Sequence, residues 1–217
     1  MRKSFHVHSF VHSYVAELKR SLDSLDVQKI NEAIEILYQA YQNRRIVYLI
    51  GNGGGATTAT HMACDLGKGT LERVYDTHEK RFQVVSLTDN VAILTAFGND
   101  VSFDDIFVQQ LRNLVQKDDV VIVLSGSGNS KNLIKAVRYA KKMGAKTVGF
   151  LGFKTGGRLG KIVDCPIRIK SVHYGPCEDV QLVLNHIIVS VLAHLKRVSN
   201  RSGSAAHNRA IPYQNPS

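Results

Sequence analysis

Cysteine is scarce in this sequence, and the three residues present form no recognisable redox or metal motif. Cys64, Cys165 and Cys177 include no CxxC pair, and any disulfide would leave one of them unpaired. Such usage is typical of a reducing compartment, so we expect a cytoplasmic protein. We interpret the cysteines as small residues of the core or near a site.

Long apolar runs and a secretory signal are also missing. No uninterrupted apolar run approaches the roughly 18 residues that span a membrane. The N-terminal segment is rich in histidine and charge and lacks the apolar stretch of a secretory signal. The sequence therefore predicts no membrane association.

The formal net charge of +10 raises the question of nucleic acid. Part of this excess lies near the C-terminus, and another part recurs at helical spacing between Lys131 and Lys146. No helix-turn-helix, zinc finger or basic stripe with interleaved aromatics accompanies these residues. A solvated helix face explains the basic row more simply, so nucleic acid is an unlikely partner.

Alternating strand-like and helix-like segments predict the fold class. With 217 residues and 44% hydrophobic content, the chain can bury the core of one domain. Nearly continuous apolar runs, typical of strands buried on both faces, cover residues 46–50, 81–87, 119–124, 147–151 and, more weakly, 165–169. Helical patterns between and after them cover residues 91–96, 104–115, 130–143 and 178–197. We expect an α/β fold with a doubly wound, flavodoxin-like parallel sheet of five strands flanked by helices.

The two ends of the chain differ from this core. Residues 1–43 carry two amphipathic helical patterns, separated by a break and start signal at 24–26, that need a partner surface in this domain or in another subunit. Residues 44–198 form the α/β domain. Residues 199–217 are rich in Ser, Asn, Gly, Arg and Pro, and we predict that they are disordered.

A glycine-rich turn, Gly51-Asn52-Gly53-Gly54-Gly55-Ala56, follows the first predicted strand and precedes a helical segment. Backbone N–H groups in such a loop converge at the positive end of a helix dipole and can hold an anion. The turn also matches a G-x-G-x-x-A dinucleotide pattern, which leaves a nucleotide-dependent enzyme as one interpretation. The acidic residue that this fingerprint needs at the end of the second strand is missing, because Glu72 and Asp76 lie before that strand begins.

A second loop, Ser125-Gly126-Ser127-Gly128-Asn129-Ser130, follows the third strand and also opens a helix. Hydroxyl and amide donors together suit a phosphate monoester. The alternative is a plain helix N-cap by Ser127, Asn129 or Ser130. Two such loops at two strand ends favour a bound phosphate ester.

The order of these motifs resembles the SIS (sugar isomerase) domain. The resemblance covers the first glycine turn, a helix with His61, Leu87-Thr88-Asp89-Asn90, Gly98-Asn99-Asp100 and the serine-rich loop, over residues 10 to 195. Within the family the chain is similar to phosphoheptose isomerases, which convert sedoheptulose 7-phosphate to a heptose 7-phosphate. The resemblance also implies a homotetramer with sites at subunit interfaces.

The resemblance implies a set of substrate-binding residues. The family's phosphate loop falls on Ser125, Ser127 and Ser130, with Gly126 where threonine is frequent. Asn52 and Gly53 belong to the first glycine loop, in which Gly55 replaces the usual serine. Asp100 matches an aspartate of the family's active site.

The resemblance also implies the catalytic residues and a metal. Isomerisation through an enediol needs a group that moves a carbon-bound proton and others that handle the oxygen protons. The family's glutamate, four residues after a helical histidine, corresponds to Asp65 after His61, and its late histidine corresponds to His186. Glu178 stands at the position of the family's glutamine, eight residues before His186; reading Gln181 as that glutamine would put Val189 at the histidine's position. Zinc is a possible cofactor, with His61, Asp65, Glu178 and His186 as candidate ligands.

We consider three functions for this sequence and predict the first. The first is a phosphosugar aldose–ketose isomerase of the phosphoheptose type or one acting on a related phosphosugar. The second is a non-catalytic phosphosugar-binding or regulatory SIS protein, including the type that binds a replication initiator. The third is a nucleotide-dependent enzyme, against which the serine-rich loop argues.

Overall fold

The computed structural model describes the backbone of residues 6–202 and the side chains of residues 6–199. Within these residues five parallel strands form one sheet in the order β2-β1-β3-β4-β5. They are β1 (Ile46–Gly51), β2 (Gln83–Ser86), β3 (Val120–Ser125), β4 (Lys146–Leu151) and β5 (Cys165–Arg168). The predicted doubly wound, flavodoxin-like sheet is confirmed. The edge strand β2 is shorter than the predicted run of 81–87.

Helices connect and flank the strands. They are α1 (Val7–Asp23), α2 (Val27–Gln42), α3 (Gly54–Cys64), α4 (Val91–Asp100), α5 (Ile106–Leu114), α6 (Lys131–Lys142) and α7 (Tyr174–Ser202). A π-helical segment, Asp65–Gly69, continues α3, and short 3₁₀ turns lie at Phe103–Asp105 and Leu159–Lys161. The predicted start signal before α2 is confirmed, since the Asp26 carboxylate accepts hydrogen bonds from the N–H groups of Gln28 and Lys29.

Successive side chains of a strand point to opposite sides of the sheet. Helices cover both sides, so the central strands β1, β3 and β4 are buried on both faces. Val47 and Leu49 of β1 pack in a core with α2, α3 and α7. Tyr48 and Ile50 pack in a second core with α5 and α6. This double burial explains why the strand segments are apolar without alternation.

Helix α7 differs from the sequence expectation at both ends. The stretch from Tyr174 to Pro176, which lies before the helix predicted over residues 178–197, forms its first turn, where a proline is tolerated because its missing N–H has no helical partner. Residues 199–202, which were assigned to the disordered tail, continue the helix, and residues 203–217 lie outside the described chain.

By length and composition α7 could also cross a membrane, since an 18-residue window between Tyr174 and Ser199 has a mean hydropathy of 1.3. This helix contains no uninterrupted apolar run of that length, because polar residues such as Asn185 and His186 interrupt it. In this structure, however, Val180, Leu184, Ile188 and Leu192 are buried in the first core. Helix α7 is therefore a core helix of this fold.

Part of the basic row on α6 is paired with neighbouring carboxylates. Lys135 Nζ lies 2.9 Å from Asp105 Oδ2, and Lys141 pairs with Asp164. These two cations therefore stabilise contacts within the domain.

Candidate active site

The two glycine-containing loops leave the sheet side by side. The register of β1 and β3 pairs Gly51 with Leu124, so the first glycine loop (residues 51–56) and the serine loop (residues 125–130) begin at the same level. This is the switch point of the strand order, where doubly wound folds bind ligands. A cavity of about 270 Å³ lies between the loops, and its polar side chains come from Asn52, Ser125, Ser127, Ser130, Tyr174 and Glu178.

The first glycine loop requires glycine for two different reasons. Gly53 has φ +54° and ψ −125°, a conformation that side-chain-bearing residues rarely adopt. A Cβ atom on Gly54 would lie 2.2 Å from Oε2 of Glu178, so the Glu178 carboxylate occupies the space of a side chain. The loop thereby brings a carboxylate into the wall of the cavity.

An amide pair joins the first glycine loop to α6. Asn52 Nδ2 donates to Asn132 Oδ1 at 3.0 Å, and Asn132 Nδ2 donates to Asn52 Oδ1 at 2.9 Å. Asn132, which is buried, was not singled out in the sequence. Its position two residues after the serine loop is the only signal that could have suggested it. The pair holds the two walls of the cavity together.

In the serine loop, the serine side chains differ in what they contact. Ser125 Oγ accepts from the Gly128 N–H at 3.0 Å, and Ser127 Oγ accepts from the Asn129 N–H at 3.2 Å. Ser130 occupies the N-cap position of α6, yet its side chain makes no capping hydrogen bond. The hydroxyl of Ser130 is therefore available to a ligand at the N-terminus of this helix.

A further loop, residues 152–158, and the residue after it brace the serine loop through hydrogen bonds that their backbone N–H groups donate. The Arg158 N–H donates to Asn129 Oδ1 at 3.0 Å, and the Leu159 N–H donates to the Gly128 carbonyl at 2.9 Å. A Cβ on Gly128 would lie 1.9 Å from the Gly156 carbonyl oxygen. The backbone of the serine loop is thus held in one conformation before any ligand arrives.

The proposed catalytic side chains His61, Asp65 and His186 come together as a His–Asp–His cluster. Asp65 Oδ2 lies 3.3 Å from His61 Nε2 and 3.7 Å from His186 Nε2. The two Nε2 atoms are 3.4 Å apart, so at most one of them can donate to the other. One potential ligand atom from each residue lies within 4.8 Å of the others, a spacing that a single metal ion can bridge.

Helix geometry places this cluster. His61 on α3 and Asp65, the first residue of the π-helical segment that continues it, are four residues apart and share a face. The backbone widens into a π-helix directly at Asp65, a local feature that is frequent at functional sites.

A buried ion pair lies at the end of this π-helix. Lys196 Nζ donates to the Thr70 carbonyl at 2.9 Å and lies 3.2 Å from Glu79 Oε1. Burial lowers the pKa of Lys196, and the Glu79 carboxylate opposes this shift.

Asn185 is a contact of the cluster that the sequence analysis missed. Its side chain is fully buried, and Nδ2 donates to Asp65 Oδ2 at 2.7 Å. Within residues 6–199, its Oδ1 has no hydrogen-bond partner. A polar residue on the apolar stripe of α7, next to His186, was the available signal.

The alternative assignment, with Gln181 as the family's glutamine and Val189 at the position of its histidine, brings no ligand to the cluster. Gln181 is buried and donates to the Phe150 carbonyl of β4 at 2.8 Å. Val189 is buried and packs near Gly69. Neither residue belongs to the cavity wall or to the His–Asp–His cluster.

Two sequence-predicted residues lie away from the cluster. Glu178 is in the regular part of α7 and lines the cavity beside Gly54, so this chain alone does not bring it to His61, Asp65 and His186 as a fourth ligand. Asp100 is the last residue of α4, is exposed and accepts a hydrogen bond from Asn99. Among the described residues, Asp100 lines neither the cavity nor the cluster.

Comparisons with known proteins identify the family of this chain. The model of the SIS domain family matches residues 11–152. The phosphoheptose isomerase of Geotalea daltonii is 35% identical over 192 residues, which are 87% of this chain and 93% of that protein. That of Helicobacter pylori strain P12 is 33% identical over 79% of this chain and 85% of its own length.

Solved structures give the same relationship. The structure of a phosphoheptose isomerase from Neisseria gonorrhoeae has a TM-score of 0.77 and 26% identity, and the match covers 87% of this chain and all of that one. This chain therefore belongs to the SIS domain family and is a relative of the phosphoheptose isomerases.

Proposed function

We propose that this protein is a phosphosugar aldose–ketose isomerase of the phosphoheptose type, which interconverts sedoheptulose 7-phosphate and a heptose 7-phosphate. The observation that carries this proposal is the cavity between the first glycine loop and the serine loop, at the N-terminus of α6. Hydroxyls, backbone amides and a helix dipole converge there, as a phosphate monoester requires. The relatives named as phosphoheptose isomerases support the choice of substrate.

The electrostatics of the cavity orient the ligand. Ser125, Ser127 and Ser130 bind the phosphate at the end nearest α6. Glu178 lines the cavity beside Gly54, and its carboxylate would repel a phosphate. Carboxylates accept hydrogen bonds from hydroxyls, so Glu178 and Asn52 face the sugar.

The His–Asp–His cluster supplies the proton transfers. In the ketose-to-aldose direction, Asp65 removes a proton from the carbon next to the carbonyl, and the electron pair forms the enediol double bond. Asp65 returns the proton to the former carbonyl carbon, and His186 and His61 move the oxygen protons. No atom or electron is gained or lost overall, as an isomerisation requires.

The donor set of the cluster also fits zinc. Two imidazole nitrogens and one carboxylate oxygen are common zinc ligands, and three protein ligands leave a position open for substrate. His61, Asp65 and His186 would hold the ion, with Glu178 as a proposed further ligand from elsewhere in an assembly. A bound zinc ion would polarise the sugar carbonyl.

We also propose that the active form is a homotetramer with sites at subunit interfaces. The sequence pattern predicts that α1 has an apolar stripe that needs a partner surface. The exposed apolar side chains at the start of this helix are Val7, Phe10, Val11 and Val15. A second copy would cover these side chains. A mass in solution equal to that of a single chain would contradict this proposal.

A regulatory phosphosugar-binding protein is the second candidate. Gly55 and Gly126 remove two hydroxyls, and Asp65 is one methylene shorter than glutamate. The lost hydroxyls weaken binding without abolishing it, because the loop amides remain in place, whereas the shorter carboxylate affects turnover.

Turnover and binding assays with sedoheptulose 7-phosphate separate the two functions. We expect conversion, with or without added zinc, together with a higher melting temperature in the presence of ligand. Stabilisation without conversion would favour the regulatory function, and no stabilisation by any phosphosugar would refute both. Ser127→Ala should weaken binding several-fold, as expected for a lost hydrogen bond to a charged group, whereas Thr77→Ala, in an exposed loop, should not.

A further inference from the structure

Gly126 and Tyr174 meet at one wall of the cavity. A Cβ atom on Gly126 would lie 2.8 Å from both Cδ1 and Cε1 of the Tyr174 ring. Carbon atoms in contact lie about 3.5–4.0 Å apart, so the ring occupies the space of a side chain at position 126. Gly126 does not have a positive φ, so its backbone conformation would allow a side chain. The Tyr174 ring is what excludes one.

The Tyr174 ring is held from a second side by Phe153. The two rings meet edge to face, with centroids 4.9 Å apart and an interplanar angle of 65°. Phe153 itself has φ +51°, and Lys154 follows with φ +60°, a left-handed conformation that is costly for side-chain-bearing residues. The loop that braces the serine loop thus keeps a strained backbone at the residue that contacts Tyr174.

The rest of the tyrosine ring faces open space at the cavity. Tyr174 is 57% exposed although it packs on Gly126 and Phe153, and it lines the same cavity as Ser127 and Ser130. Within residues 6–199, its hydroxyl has no hydrogen-bond partner. A rigid aromatic ring fixed on two sides and open on the third offers a large contact area at low entropic cost.

We propose that Tyr174 is a ligand-contacting residue through which this cavity prefers sugar phosphates to free phosphate. Its ring stands where a side chain at position 126 would otherwise lie, and packs against the carbon chain of the phosphosugar next to the phosphate. This role rests on the proposed phosphosugar function. Tyr174 therefore contributes to the binding of sugar phosphates and not to the binding of free phosphate.

Calorimetry on the full chain with two probes tests this role. Tyr174→Ala should raise the Kd of sedoheptulose 7-phosphate about fivefold, the loss of one aromatic contact. The Kd of inorganic phosphate should stay unchanged. Tyr174→Phe is the matched control and should bind both probes like the unmodified protein, because it keeps the ring.

Gly126→Ala provides the reciprocal test. The added methyl group should displace the half-exposed ring and weaken sugar-phosphate binding as much as Tyr174→Ala does. In the double variant the two losses should not add, because both changes remove the same contact.

Three results would overturn the role of Tyr174 and leave the proposed function intact. In the first, Tyr174→Ala binds the sugar phosphate with the same Kd as the unmodified protein. In the second, Tyr174→Ala loses as much affinity for inorganic phosphate as for the sugar phosphate. In the third, the affinity losses of Tyr174→Ala and Gly126→Ala add up in the double variant. An unmodified protein that binds no phosphosugar would refute the proposed function and this role together.

Discussion

The cavity and the His–Asp–His cluster are built in opposite ways. The cavity is made largely of main chain, namely two short loops pinned to neighbouring strand ends, with Ser125 buried and the serine loop braced by residues 152–158. The cluster is made of side chains from two helices. The side chains of His61 and His186 are 44% and 54% exposed.

This contrast separates binding from chemistry. Backbone amides survive every substitution except proline, so the anion site proposed for the cavity does not depend on hydroxyls at Gly55 and Gly126. The cluster depends on one carboxylate oxygen, Asp65 Oδ2, that both histidines and Asn185 approach. Substitutions in the cluster should therefore abolish turnover, whereas those in the cavity should reduce affinity in small steps.

Asp65→Asn should produce the largest effect on catalysis. The amide has the size of the carboxylate but cannot accept a proton, so we expect kcat for sedoheptulose 7-phosphate to fall about 10³-fold. The Kd of the ligand should change little, because the cavity is intact. Steady-state kinetics and calorimetry measure the two quantities.

Asp23→Asn is the matched control for this change, because Asp23 is exposed at the end of α1. It should leave kcat unchanged. Retention of more than a tenth of the activity by Asp65→Asn would show that another group moves the carbon-bound proton.

Lys196→Met should produce the largest loss of stability. Lys196 and Glu79 form an ion pair whose side chains are 1% and 6% exposed, and Lys196 also holds the Thr70 carbonyl behind the π-helix. Removing one partner leaves a buried charge unpaired, at a cost of about 3 kcal/mol in the free energy of unfolding. Urea denaturation measures this loss, and adding Glu79→Gln to the variant should recover part of it.

The same ion pair predicts how stability depends on pH. Burial acts to raise the pKa of Glu79, but hydrogen bonds from the N–H groups of Arg73 and Glu72, together with Lys196, lower it below the ordinary 4.5. A lowered pKa means that the folded chain gains stability above pH 4.5 and loses it as the pH falls through the lowered value. The Glu79→Gln variant should lack this step in its acid unfolding profile.

The sequence predicted the fold, the loops and the members of the cluster better than it predicted the contacts that support the cluster. Buried parallel strands and glycine loops leave local signals, since apolar runs and glycine positions are readable without knowing what packs on them. The contact of Asn185 with Asp65 joins residues 120 positions apart. The buried Lys196 resembled the other basic residues near the C-terminus, because nothing in its neighbours reveals Glu79. The helical start at Tyr174 was missed because Pro176 resembled a helix boundary.

Asn185→Leu tests whether catalysis by the cluster needs the hydrogen bond from the buried Asn185 side chain to Asp65. Leucine has a similar size, and its introduction removes both the hydrogen bond to Asp65 and the unpartnered Oδ1. We expect kcat to fall about tenfold with KM unchanged, the cost of one hydrogen bond to a charged group. The free energy of unfolding should stay equal or rise, so lost activity would not reflect unfolding.

Gln181→Leu is the contrasting variant on the same face of α7. Gln181 is equally buried and also has an unpartnered oxygen, but it contacts the Phe150 carbonyl and not the cluster. It should change stability without changing kcat. Equal kinetic effects from both substitutions would mean that α7 packing as a whole, and not Asn185, controls Asp65.

Ser130→Ala should have the smallest effect and decides what the serine loop is for. Because Ser130 makes no capping hydrogen bond in the structure, its loss should cost less than about 0.5 kcal/mol of stability, whereas a true cap would cost about 1 kcal/mol. Phosphosugar affinity should fall about fivefold, the value of one hydrogen bond to the ligand. A stable variant with weaker binding assigns this hydroxyl to the ligand, and a destabilised variant with unchanged binding assigns it to the helix.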